Sequence, residues 1–137
     1  MGMAEETHPT PGVGAVIVVD GRLLLVRRGR GAYEGYWAVP GGRQQRGETM
    51  RDAVAREVLE ETGLTVEVGS VVWAGDIMDD AQPPGYHFVV VDFAASPTGG
   101  QLEAGDDAAE VRWVPRDVVR SMQLTPTMGD LLDEIGF

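Results

Sequence analysis

Apolar and polar positions fall into short blocks along this chain, and the blocks predict more strands than helices. Two apolar runs, residues 14–19 and 22–28, flank Asp20-Gly21. An Asp-Gly pair between β-branched runs predicts a hairpin. Residues 29–36 form a Gly-rich loop, and 37–39 a short strand that Pro40-Gly41-Gly42 should stop. Residues 66–77 hold one or two strands around Gly69 and Gly75; Pro83-Pro84-Gly85 breaks the chain; 86–94 is a strand, and 96–109 reads as a long loop. In 110–114 Val111 and Trp113 alternate with Glu110 and Arg112, so the two pairs should lie on opposite faces of a strand.

A period near 3.6 appears in residues 49–62. Thr49 with Asp52 resembles a capping box, and Gly63 is a natural C-terminal stop. On a helical wheel Val54, Ala55, Val58 and Leu59 share one arc, with Met50 and Ala53 beside the acids of the other. Those acids are Glu57, Glu60 and Glu61, neighbours at i, i+3 and i+4. Pro115 opens a helical turn over 116–122, and a last helix runs over 127–135, capped by Thr125 or Thr127. Strands outnumber helices in a mixed order, which predicts an α/β (mixed α+β) fold.

The crowded acids demand an explanation. Like charges one turn apart destabilise a helix by a few tenths of a kcal/mol, and anions are disfavoured near a helix C-terminus. The local compensation is Arg56, four residues before Glu60. A solvated acidic face is one reading. A hard divalent cation, Mg²⁺ or Mn²⁺, is the other, because it takes carboxylate oxygens and leaves positions for water and phosphate.

Composition narrows the setting. With 137 residues, one domain is expected, over 12–137, after a loose tail over 1–11. No apolar run approaches the ~18 residues of a membrane span, so no membrane partner is expected. The chain has no cysteine, which excludes disulfides and thiolate chemistry and suits a cytoplasmic location. Twenty-two Asp plus Glu against 11 Arg, with no Lys, give a net charge of −11. Such a field repels long nucleic acid. Yet Arg27, Arg28, Arg30, Arg43 and Arg46 cluster within twenty residues, a local positive region suited to a compact phosphate ligand. Tyr33, Tyr36 and Trp37 flank it, and Trp37 fits core packing as well as stacking on a base.

The spacing from Gly42 to Leu64 is specific. Gly42, Glu48, Arg56, Glu57, Val58, Glu60, Glu61, Gly63 and Leu64 fill every position of the pattern G-x5-E-x7-R-E-U-x-E-E-x-G-U, with U apolar. Seven fixed letters at roughly 1 in 15 each match by chance about once in 10⁸ starts. The chain therefore resembles the Nudix hydrolases, and the likeness extends to residues 36–42 and 109–114. Many members of that family carry Glu where this chain has Gln45.

The resemblance implies an α/β/α sandwich with a mixed β-sheet and hydrolysis of a diphosphate linked to another moiety. It implies two or three Mg²⁺ or Mn²⁺ ions, with Glu57 and Glu61 as principal ligands, Glu48 and Glu60 as direct or water-mediated ones, and a Gly41 or Gly42 carbonyl completing the shell. Arg56 would orient a glutamate. The general base would be a box glutamate or a later acid, Asp106, Asp107 or Glu110, with Glu110 the favoured one of the three. Arg27, Arg43, Tyr36 and Trp37 are the substrate-binding candidates. The expected partner is a small nucleotide-linked diphosphate, ADP-ribose-like by the look of residues 105–110, with a homodimer left open. A triphosphate diphosphatase that clears oxidised nucleotides is the alternative, and a non-catalytic ADP-ribose-binding module the third reading. An isoprenoid diphosphate isomerase on the same fold typically needs a cysteine that this chain lacks.

Overall fold

A computed structural model describes residues 8–105 and 107–137. Residues 1–7 of the expected tail, and Asp106, lie outside the described residues. Thr10 and Pro11, read as tail, open the first strand, β1 (Thr10–Val16). The chain then crosses to a second sheet through β2 (Val18–Val19) and β3 (Arg22–Arg28). The expected hairpin is present: Val19 pairs with Arg22, and Asp20 and Gly21 both hold positive φ, 52° and 75°, as its two-residue turn requires.

Next come β4 (Trp37–Ala38) and β5 (Gly41–Arg43). β4 stops before Pro40, as the Pro-Gly-Gly sequence predicts, but Gly41 and Gly42 then open a new strand. They pair with Gly14 and Val13 of β1. A side chain on Gly41 would collide with the Val13 carbonyl oxygen, so glycine here serves a close backbone approach.

The helix α1 (Met50–Thr62) is capped as read: Thr49 Oγ1 accepts from the Asp52 N–H, and Gly63 closes it at φ 79° with its N–H on the Leu59 carbonyl. Its buried stripe differs from the wheel. Ala53, Val54, Val58 and Thr62 are buried, whereas Leu59 and Met50 are exposed. The stripe is turned by about one residue because the sheet also takes up part of Glu57 and Glu61.

Two long strands follow, β6 (Leu64–Met78) and β7 (His87–Gly100), paired antiparallel over their whole length with irregularities near Val68–Trp73. Residues 96–100 therefore belong to a strand and not to a loop. Beyond Ala94, β7 no longer pairs with β1, and Pro97 is tolerated where only β6 is its neighbour. Last come β8 (Ala108–Pro115), α2 (Arg116–Val119) and α3 (Met128–Ile135). Thr127 stands at the N-cap of α3 without a side-chain capping bond, and α2 is shorter than the expected turn.

One sheet has the order β5-β1-β7-β6, with β1 and β7 parallel; the other joins β2, β3 and β4, with β8 along β3. The first core packs Val54 and Val58 of α1 on Val13, Ala15, Leu24 and Phe93. The second packs Leu131 and Leu132 of α3 and Val119 of α2 on Val16, Leu23, Leu25 and Val114. Helices thus flank the sheets on both sides, the α/β/α sandwich with a mixed sheet. No helix of the described residues is long and apolar enough to cross a membrane.

Candidate active site

The hydrophobic stripe of α1 decides where its acids go. Burying Val54 and Val58 turns Glu57 and Glu61 toward β5, half-covered, and leaves Glu60 exposed. The Glu61 Oε1 accepts a 2.7 Å hydrogen bond from the Gly41 N–H. A Cβ on Gly42 would strike the Glu57 carboxylate. The absent side chain is thus what lets β5 lie against the acids.

Arg56 organises the rest. Its Nε and Nη2 grip the Glu48 carboxylate at 2.9 and 2.7 Å, a fork-on-carboxylate pair. Nη1 reaches Glu57 at 3.0 Å and Glu60 at 3.2 Å, and Nη2 also donates to the Arg43 carbonyl. The Gln45 N–H adds a 2.8 Å bond to Glu48. This bond uses the backbone, so Gln at this position keeps it.

The electrostatics sort the acids into two kinds. Arg56 and the Gln45 amide hold Glu48 down at about 2. Burial pushes Glu61 up to about 8 against its Gly41 bond, with the Glu57 charge adding to the rise. Burial also raises Glu57, opposed by Arg56 and reinforced by Glu60 and Asp107.

These residues offer a hard cation an all-oxygen donor set. Glu57 and Glu61 are held one turn apart, half-buried, with Glu61 pushed to about 8 by desolvation and its like-charged neighbour. A divalent ion relieves both penalties. Among the described residues no three carboxylates converge on one point, because Glu48, Glu57 and Glu60 all turn to Arg56. The set fits an ion at Glu57 and Glu61; a third carboxylate must leave Arg56 to join it.

The later acids separate. Asp107 ion-pairs with Arg30, and its charge raises both Glu57 and Glu61. Glu110 is not brought to this cluster. It pairs with Arg112 at 2.6 Å and with Arg27 at 3.5 Å, and Arg112 holds its carboxyl below the ordinary value. Trp113 packs on the core that contains α1, so Glu110, an odd number of residues away, is on the opposite face of β8.

A cavity of about 390 Å³ opens beside Gly41 and Gly42, between the β1–β7 sheet and α3. Of the substrate-binding candidates, Arg43 lines it and lies 5.7 Å over the Phe88 ring. Arg27, Tyr36 and Trp37 are not among its lining residues. Arg27 faces Glu110; Tyr36 packs edge-on to Tyr33; Trp37 is buried in the second core with Arg112 stacked 4.8 Å from its ring. The walls are instead Arg28, Tyr33, Tyr86, Phe88 and Asp92. The Tyr33 and Tyr86 hydroxyls share a hydrogen bond across the mouth. Asp92 is the residue that pattern reading passed over; its signal is a lone charge inside the apolar run 88–95. A wider depression of about 550 Å³ lies by Trp73, Asp130, Asp133 and Glu134, where three acids repel an anionic ligand.

Comparison with known proteins agrees with this geometry. A NUDIX domain model matches residues 8–135. The chain is 38% identical over 106 residues to an ADP-ribose pyrophosphatase of Methanocaldococcus jannaschii, an alignment covering 77% of this chain and 62% of that protein, less than two-thirds of its length. It is 35% identical over 98 residues to an 8-oxo-dGDP phosphatase of Homo sapiens, covering 69% of this chain and 28% of that protein. Its fold superposes with a TM-score of 0.83 on the crystal structure of a MutT NUDIX hydrolase from Burkholderia pseudomallei, at 30% identity, covering 93% of this chain and 98% of that one.

Proposed function

The chain belongs to the NUDIX family, and from that premise we propose that it hydrolyses the diphosphate bond of a small nucleoside diphosphate derivative, with ADP-ribose-like compounds as the leading class. The observation that carries this reading is the meeting of a complete acid helix with a nucleotide-sized cavity at Gly41–Gly42. The likeness to an ADP-ribose pyrophosphatase supports the substrate class.

Glu57 and Glu61 would hold Mg²⁺ or Mn²⁺, with Glu48 or Glu60 and a Gly41 or Gly42 carbonyl as further donors. When bound, the cation supplies charge neutralisation on the phosphoryl oxygens. The protein's own groups do the rest. Arg28 and Arg43 on the cavity wall bind the diphosphate. Arg56 holds Glu48, Glu57 and Glu60 together beside the site, and one of Glu48 and Glu60 turns from it when the ion binds. The Gly41 N–H holds Glu61 at the cavity edge. The proton of the attacking water passes to a carboxylate of this group. Of the later acids among the described residues, Asp107 is the one whose charge is felt there.

A second reading, hydrolysis of an oxidised nucleoside di- or triphosphate, is favoured by the likeness to the 8-oxo-dGDP phosphatase. A hydrolysis screen with Mg²⁺ and Mn²⁺, read by chromatographic separation of the products, decides between them: ADP-ribose, sugar nucleotides, dinucleoside polyphosphates and oxidised and normal nucleotides are offered in parallel. ADP-ribose turned over best supports the first reading. Binding without turnover of any compound overturns the hydrolase reading in favour of a binding module.

A further inference from the structure

The cavity has a floor that the chemistry on α1 does not use. Asp92 lies in the middle of β7, paired with Gly14 of β1. Val91 and Phe93, its neighbours, face the α1 core, so Asp92 faces the other way, into the cavity. It is 4% exposed, and its Oδ1 has no hydrogen-bond partner among the described residues. Buried polar atoms are nearly always paired, and an unpaired one costs about 1–3 kcal/mol. Burial alone drives its carboxyl up to about 7.

The surroundings have the form of a ligand site. On the same face, the Asp92 carboxylate lies directly over Gly14, where a Cβ would overlap it, and Gly12 beside it leaves β1 open. Val90 and Phe88 continue that face toward the mouth, where Arg43 lies over Phe88. The opening is cationic and polar, the middle flat and apolar, and the far end carries one acceptor. That order matches phosphate, then the face of a heterocycle, then its hydrogen-bonding edge.

We propose that Asp92 selects the nucleobase: its carboxyl oxygen accepts an N–H from a base that bears an amino or imide donor, seated over Gly12. This rests on the reading that a nucleoside diphosphate derivative occupies the cavity. A sugar hydroxyl is the competing donor. The apolar neighbours Val90, Phe88 and Leu131 favour a base, since they leave the other hydroxyls of a sugar unpaired.

The test is calorimetric binding of AMP, GMP, purine riboside 5′-monophosphate and ribose 5-phosphate to the full chain and to Asp92→Val, alongside melting curves. The wild type should bind the better of AMP and GMP at least ~10-fold more tightly than purine riboside 5′-monophosphate, which has neither amino nor imide N–H. In Asp92→Val the ratio should fall below about twofold, while Tm rises by about 3–8 °C because an unpaired buried acceptor has gone. A purely structural carboxylate would lower Tm on removal, and that result overturns the proposal. So does an unchanged ratio, no binding of any of the four, or a loss confined to ribose 5-phosphate. Turnover of ADP-ribose with Mg²⁺ is scored separately. Turnover with no base preference sinks the Asp92 assignment alone, whereas base preference without turnover supports it and sinks only the hydrolase reading.

Discussion

The Gly41 N–H donates a 2.7 Å hydrogen bond to the Glu61 carboxylate, and this bond joins the strand that floors the cavity to the helix that carries the acids. It also sets the division of labour on α1. Glu61 is the acid most withdrawn from water and sits near 8; Glu57, one turn earlier, is the one shared with Arg56. Neutralising Glu57 tests the pair without disturbing the core beneath it.

Glu57→Gln should lower kcat by several orders of magnitude while the fold survives, because it removes a proposed metal ligand and no packed methylene. Steady-state kinetics with Mg²⁺ as the only metal, beside a circular dichroism spectrum, read both effects. Near-normal turnover overturns the role of Glu57.

Divalent cations should raise Tm. Burial and the Glu57 charge make Glu61 costly to ionise in the metal-free protein, and a cation that both carboxylates bind only in the native state stabilises it by mass action. Millimolar Mg²⁺ or Mn²⁺ should therefore shift a thermal melt more than NaCl of equal ionic strength. Equal shifts would mean screening alone explains the cluster.

How much of this was legible in the sequence depends on whether the signal was local. The Asp20-Gly21 turn, the Thr49 cap and the Gly63 stop are local, and each stands where the pattern put it. Pro-Gly-Gly does stop β4, but the strand that Gly41 and Gly42 open is not legible locally, because their partners, Gly14 and Val13, are nearly thirty residues away. Residues 96–100 look like loop until β6 is set beside them. The acid spacing on α1 was plain, but the cavity was not. Its walls come from β1, β5, β7, α3 and the loop before β4, and a lone Asp92 in an apolar strand carries meaning only once Gly14 of β1, which leaves room for its carboxylate, and the open Gly12 lie beside it.

The acids after β7 are distinguished by their faces. Asp107→Asn should change kcat more than any change at Glu110, because its charge reaches both Glu57 and Glu61. Glu110→Gln should change kcat less than about threefold, since Glu110 is exchanged between Arg27 and Arg112 on the far face of β8. Exposed pairs of this kind are screened by solvent, so its stability effect should also be small. The reverse order in kcat would move the proton acceptor to β8.

Gly42→Ala isolates the close approach of β5 to α1. A Cβ there meets all three atoms of the Glu57 carboxylate, while the backbone of Gly42 is not among the positive-φ residues. Backbone strain is therefore not the issue, and Glu57 must turn away. The variant should lose more than tenfold in kcat and show weaker Mg²⁺-induced stabilisation, with Tm of the metal-free protein changed by only a few degrees. Full activity would mean Glu57 is free to shift without consequence.

The pH dependence of stability should carry the mark of Asp92. Its carboxyl is raised from an ordinary 3.8 to about 7 by burial. Below about pH 4 both folded and unfolded chains hold that proton, and the group makes no difference. Between about 4 and 7 the native state keeps a proton that the unfolded chain releases, so stability falls as pH rises; above 7 the loss is complete. At roughly 1.4 kcal/mol per unit the loss is bounded at about 4 kcal/mol. Asp92→Asn cannot titrate and should not show it. Glu61, raised in the same direction, and Glu48, lowered, titrate in both proteins and cancel in the difference. Melting wild type and Asp92→Asn from pH 4 to pH 9 should thus give curves that diverge between 4 and 7, with the wild type losing ground, and run parallel above. Curves parallel throughout would mean that Asp92 is ionised and paired in the folded protein, and the cavity floor would have to be redrawn.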